Sequence, residues 1–243
     1  MRSTFSFLLL FIGSCSSLAP EKPRVVSRRH LLGGGALFTP MAARAFENAL
    51  PEAAKFTDRP KRKGPQPPDL GLAVRSVNQY GDESDGPVLK ICKGAPNCFS
   101  TSGDEEFDAA SLIVPWKPPS GVTLAAAAKQ LEEVVAAYQP GQEGIDGGGF
   151  KIITAPSVKP DGTYLYAQFE ALKNGYIDDL EFAATKPGEV QVRSSSRVGF
   201  LDMGVNAKRL NYISAKLRAK GWDAPVIDKK SHADYFIQNY GPA

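Results

Sequence analysis

The stretch YIDDLEFAATKPGEVQVRSSSRVGF, residues 176–200, decides the fold. Residues 176–184 and 189–198 each read as a strand, and Lys186-Pro187-Gly188 between them is turn chemistry. Side chains alternate between the two faces of a strand. Ile177, Asp179 and Glu181 therefore share one face of the first run, and Asp178, Leu180 and Phe182 the other. In the second run Val190, Val192 and Ser194 oppose Gln191, Arg193, Ser195 and Arg197. Pairing the apolar residues Phe182 and Val192 fixes the register. It sets Glu181 opposite Arg193 and Asp179 opposite Ser195, with Arg197 beside Ile177. Such cross-strand charge pairs contribute about 0.2–1 kcal/mol each, reason enough for them to exist without catalysis.

Working outward, residues 149–155 and 162–172 form two further strand-like runs, set off by Pro160-Asp161-Gly162 and Lys173-Asn174-Gly175. Connections this short favour antiparallel neighbours. Upstream, residues 123–138 place Leu124, Ala127, Ala128, Leu131, Val134 and Val135 on one helical stripe, with Thr123 as its cap. Downstream, residues 205–220 place Val205, Leu210, Ile213 and Leu217 on a second stripe that stops at Gly221. The expectation is an α+β, two-layer domain over residues 88–222: an antiparallel four-stranded meander sheet packed with two helices.

Alternation turns the Asp178 carboxylate toward the apolar face, where it needs a partner. Arg209 or Asn206 on the last helix can supply one, which predicts an Asp178–Arg209 lock. Asp202 or Asn206 can accept from free amides of that helix's first turn, and Gly204 permits a tight entry. A sharper reading makes Asp178, Asp179, Glu181, Arg193, Ser195 and Arg197 the floor of a pocket, with Asp202, Asn206 and Arg209 beside it. Paired carboxylates can form a general acid there, and arginines can hold an anion. A serine nucleophile lacks its usual base, because His30 lies in the N-terminal leader and His232 in a polar tail. No residue is assigned a catalytic role, and no cofactor or metal is expected. The glycine-rich run at residues 141–149 lacks the GK[ST] of a phosphate loop.

APNCFST, YIDDLEF, VQVRSSSRVGF and LDMGVNAKRL resemble, in this order, the hallmark blocks of domain-of-unknown-function family 1499, over about residues 90–220. The resemblance implies a domain found in bacteria and plastid-bearing eukaryotes, and no established reaction. Ala207 stands where the family usually has Arg or Lys, which weakens any anion-binding role of that cluster.

The remaining sequence gives an address. The apolar run Phe5–Phe11 behind Arg2 reads as a signal peptide over residues 1–17. Residues 18–45 carry Arg28-Arg29, an apolar run and Ala43-Arg44-Ala45, resembling a twin-arginine thylakoid signal. Together they predict a plastid protein of the thylakoid lumen, with the stroma as the alternative, and a thylakoid-membrane complex as its partner. Of 29 basic and 26 acidic residues, six basic and one acidic fall in the first 45. The remaining 23 basic and 25 acidic residues nearly balance, which argues against nucleic acid. No transmembrane span is expected in the mature chain.

Residues 46–87, rich in Pro and Lys, read as a linker in which Lys61-Arg62-Lys63 is simply solvated. Cys92 and Cys98 suggest a local disulfide, worth about 2–3 kcal/mol for so small a ring, or else a reduced pair. Two cysteines with no histidine at ligand spacing cannot complete a zinc site. In the tail, residues 223–243, Tyr235, Phe236, Ile237 and Tyr240 either dock on a partner or pack back on the domain.

Overall fold

The computed structural model describes residues 46–78, 80–156 and 162–242. The signal and transit segments lie outside the described residues. The four expected strands are β2 (Phe150–Thr154), β3 (Thr163–Glu170), β4 (Ile177–Ala184) and β5 (Gln191–Ser196), joined as an antiparallel meander. The β4–β5 register follows the apolar pairing: Phe182 faces Val192, Glu181 faces Arg193 and Asp179 faces Ser195. Arg197 continues it by donating its backbone N–H to the Ile177 carbonyl at 3.0 Å.

The sheet has five strands, not four. A short strand, β1 (Cys98–Ser100), pairs antiparallel with β5 and gives the order β1-β5-β4-β3-β2. Three residues cannot display a period of two, and no hairpin turn leads into a strand that joins its neighbour from across the chain. Its flank is held by the Cys92–Cys98 disulfide, which joins two buried residues.

Helices α1 (Leu124–Ala136) and α2 (Val205–Arg218) cover one face. Thr123 caps α1 by accepting from the Ala126 N–H at 3.2 Å. Leu131, Val135, Leu210, Ile213 and Leu217 meet Leu165, Phe169, Leu180, Phe182 and Val192 in a single core. A third helix, α3 (Ala233–Tyr240), corrects the two-helix expectation and settles the tail: it packs back on its own domain. Tyr235 is fully buried, its ring 4.4 Å from that of Phe99, and Asn239 one turn later is buried as well. Eight residues are too few for a periodic signal to stand out.

Residues 46–91 are not a free spacer. Their described residues carry one short 3-10 helix, Pro51–Phe56, several turns and two isolated antiparallel bridges, Ala73 with Val88 and Ser76 with Glu83. The Phe46 and Leu50 N–H groups donate to the Gly148 and Gly147 carbonyls, and Arg62 donates to Asn174. Gly71 then donates to Glu181, and Leu89 to the side chain of Gln191. The face of the sheet opposite the helices is thus covered by a strap. Lys61 and Lys63, expected in solvent, reach the buried carboxylate of Glu170 at 3.5 and 3.3 Å. A buried carboxylate on the solvent side of a sheet is stable only with such cations over it.

Candidate functional site

The nine charged and polar residues singled out in the sequence do not form one cluster. Alternation sends Asp179, Glu181, Arg193, Ser195 and Arg197 under the strap, and Asp178 to the helical face. There it joins Asp202, Asn206 and Arg209.

Under the strap every acid is matched. Arg193 Nη1 donates to Glu181 Oε2 at 3.0 Å. The other Glu181 oxygen accepts from the Gly71 N–H at 2.7 Å and the Tyr164 hydroxyl at 2.8 Å. Arg197 grips Asp179 with Nε at 2.9 Å and Nη2 at 2.8 Å, and the Tyr166 hydroxyl donates to the same carboxylate at 2.6 Å. Burial works against the charge of Arg197, but the bonds to Asp179 outweigh it and hold its pKa above the ordinary value. Burial first, and then the bond to Asp179, pushes the Tyr166 phenol up to about 12. Tyr164 is raised for the same reason, with Glu181 in the place of Asp179. Glu181 is fully buried, and Asp179 and Arg193 nearly so. Ser195 Oγ donates only to the Ser196 carbonyl, at 3.4 Å. His232 meets the Leu112 carbonyl and Ser231, so it serves no serine of this sheet.

On the helical face Arg209 is wholly buried. Its Nη2 donates to Asp178 Oδ2 at 2.7 Å, the predicted lock. It also makes a two-pronged contact with Asp146, including Nε to Oδ2 at 2.9 Å, and its Nη1 donates to Asn206 at 2.9 Å and Ser194 at 3.2 Å. The guanidinium lies 4.7 Å from the Phe169 ring centre, in cation–π range. Asp146 escaped the sequence reading because it sits in the glycine-rich run. Its φ of 55° is unusual for a residue other than glycine and is the signal that marks it. Tyr138 at the end of α1 donates to Asp146 at 2.6 Å.

Asp202 opens α2. Its carboxylate accepts from the Gly204 and Asn206 N–H groups at 3.0 and 2.9 Å and from the Tyr235 hydroxyl at 2.8 Å. Gly204 is required twice over: φ is 76°, and a Cβ there would lie 1.8 Å from Tyr240 Oη. Asn206 donates to the Asn97 carbonyl at 2.9 Å, and Asn239 of α3 donates to the Pro96 carbonyl at 2.7 Å. The disulfide loop is thereby tied to both helices.

Burial raises the pKa of Asp146, against the opposing pull of Arg209, and that of Asp202, against its hydrogen bonds. A carboxyl raised on folding contributes stability that is fully present below its unfolded value of about 4 and is lost as pH rises through the folded value. Asp202→Asn is therefore expected to flatten the fall in melting temperature as pH rises from about 4. Thermal melts across that range check it, and a slope unchanged from wild type contradicts it.

Asp146, Asp178 and Asp202 form the floor of a cavity of about 560 Å³ at the end of the sheet. Its lining also includes Leu172, Leu201, Met203 and the exposed Arg62. Leu201 and Met203 of the lining are 43% and 59% exposed, and Phe200, beside them in the chain, is 65% exposed. Tyr240 of α3 donates to the Met203 carbonyl at 2.9 Å and extends this apolar edge. Among the described residues no group of His, Cys, Asp and Glu can hold a metal ion, and no helix is long and apolar enough to cross a membrane.

No curated protein and no solved structure matches the chain. The family model described as protein of unknown function (DUF1499) matches residues 88–217. This span holds all five strands, α1, all of α2 but its last residue, every residue of the Arg209 network named above except Tyr235 and Asn239 of α3, and more than half of the chain. The chain belongs to the DUF1499 family.

Proposed function

We propose that this chain is a non-catalytic binding protein of the plastid, lodged in the thylakoid lumen, where it associates with and stabilises a membrane complex. One observation carries the reading: the acids and bases that could do chemistry are committed to one another, while Leu201 and Met203 stand exposed on a cavity with the exposed Phe200 beside them in the chain. A contiguous exposed apolar edge is a feature of interaction sites. The address rests on the tandem N-terminal signals, and the partner's location follows from that address. The cavity itself favours a second reading within the same class, a small-ligand-binding domain.

The accessory reading is tested on native gels of gently solubilised thylakoids from cells that carry the tagged full chain. The protein is expected to migrate with a large complex, and the triple variant Phe200→Ser, Leu201→Ser, Met203→Ser to return to the monomer position. Migration of the unaltered protein as a free monomer overturns the association. Protease protection of intact thylakoids separates lumen from stroma.

A further inference from the structure

We propose that the ring closed by the Cys92–Cys98 disulfide is a redox-sensitive clamp on the exposed apolar segment at residues 199–203, opened by a protein dithiol. The clamp stands on contacts within the chain, and its control of docking rests on the accessory reading above.

The ring holds that segment at both ends. At one end the Asn97 side chain donates from Nδ2 to the Gly199 carbonyl at 2.6 Å. At the other end Asn239 of α3 is a relay. Its Nδ2 donates to the Pro96 carbonyl of the ring at 2.7 Å, and its Oδ1 accepts from the Asp202 and Met203 N–H groups at 3.1 and 2.9 Å. Both asparagines are buried, so water does not compete for these bonds. Between the two ties stand Phe200 and Leu201, both exposed. The presentation of this apolar edge therefore depends on where Pro96 and Asn97 sit.

Ring closure sets that position. Lys93 has a φ of 54°, a conformation a lysine seldom adopts, and Gly94 follows at 71°. Once the sulfur–sulfur bond is cut, nothing covalent holds Lys93 there, and the chain from Lys93 to Asn97 relaxes away from Gly199 and Asn239.

The ring is also open to attack. A groove of about 690 Å³ is lined by Ile91, Lys93 and Gly94, and Cys92 stands between the first two in the chain. Cys92 is 7% exposed and Cys98 1%, so Cys92 is the sulfur within reach. The exposed ammonium of Lys93 beside it favours an incoming thiolate. A thiolate of the dithiol attacks Cys92 Sγ, the disulfide breaks, and Cys98 leaves as a thiolate that takes up a proton. The second thiol of the reductant loses its proton and attacks the reductant's own sulfur in the mixed disulfide. Cys92 is released as a thiolate and is protonated in turn. The reductant departs as a disulfide, having passed two electrons and two protons to the cysteines.

The experiment is hydrogen exchange followed by mass spectrometry on the full chain, oxidised and then reduced with dithiothreitol without denaturant, with the freed thiols counted by alkylation. Reduction is expected to speed exchange at the Asp202 and Met203 amides on the order of tenfold and to leave those of β3 and β4 unchanged. Reoxidation should restore the slow rates. Asn97→Ala, which removes one tie and keeps the disulfide, should speed the same amides, and reduction should then add little. If that variant fails to fold, the unaltered chain decides alone. A disulfide that resists dithiothreitol until the protein is denatured overturns the proposal, as does unchanged exchange at Asp202 and Met203 after reduction. Faster exchange throughout β3 and β4 also overturns it, by making the bond a general staple. Docking is read separately on the native gel, where the double variant Cys92→Ser, Cys98→Ser is expected to leave the large complex. Should the unaltered chain already run as a monomer there, the accessory reading falls, and the exchange rates still decide the clamp.

Discussion

Replacing Arg209 by glutamine is expected to cost about 3–5 kcal/mol, the range for breaking a buried ion pair from one side. In a domain of this size that corresponds to a fall in melting temperature on the order of 10 °C. The reason lies in what remains. Asp146 and Asp178 are buried and both lean on this one guanidinium, so glutamine leaves two carboxylates in the interior with a single neutral donor group between them. Ser194 and Asn206 lose a donor too, and Phe169 loses its cation. Arg209→Lys should fall between wild type and Arg209→Gln. It restores the charge but not the planar fork that reaches both acids at once. Urea denaturation of the three proteins checks the order. A glutamine variant within about 1 kcal/mol of wild type would show that the network does not brace the helical face.

Glu181→Ala has the second large effect, on the opposite face. Arg193 would be left buried without its partner, and its Nε already lacks an acceptor among the described residues. A loss of about 3–5 kcal/mol follows, by the same one-sided argument. The strap should loosen as well, since Glu181 is what Gly71 holds on to, and the Tyr164 hydroxyl loses its acceptor at the same time. Limited proteolysis reads this directly. Trypsin is expected to cut the variant first within residues 57–91, roughly tenfold faster than wild type, because local opening sets the rate of such cleavage. Glu181→Gln, which can still accept from Gly71 and Tyr164, should show a smaller acceleration. Equal cleavage of Glu181→Ala and wild type would mean that the strap is held elsewhere, with Lys61 and Lys63 on Glu170 the first place to look.

Much of this architecture was legible in the chain because one constraint fixed it. Once Phe182 is set against Val192, alternation places every charged residue of the hairpin, including the inward turn of Asp178 that called for Arg209. What stayed hidden lacked periodicity. Cys98–Ser100 is too short to alternate, and Ala233–Tyr240 spans barely two turns. The strap is irregular chain that contacts the sheet through backbone amides such as that of Gly71, and amides leave no trace in residue type. Asp146 was invisible for a different reason. Its partner Arg209 lies 63 positions along the chain, and only the fold brings the two together. The apolar rim at Phe200, Leu201 and Met203 could not be told from core, because burial is a property of the assembled layers.

The physical picture is of a thin sheet braced on both faces by buried charge, with a cavity left where the braces meet the chain's apolar edge. Stability in such a molecule comes from pairs whose members are costly alone, so coupling between partners is the quantity that matters. The most direct measurement is the double-mutant cycle of Asp178→Asn and Arg209→Gln, followed by urea denaturation. A lock predicts non-additivity on the order of 1–3 kcal/mol, the double variant being more stable than the sum of the single losses implies. Additive losses would contradict it: Asp178 and Arg209 would then be neighbours and not partners, and the bracing account of the helical face would fail.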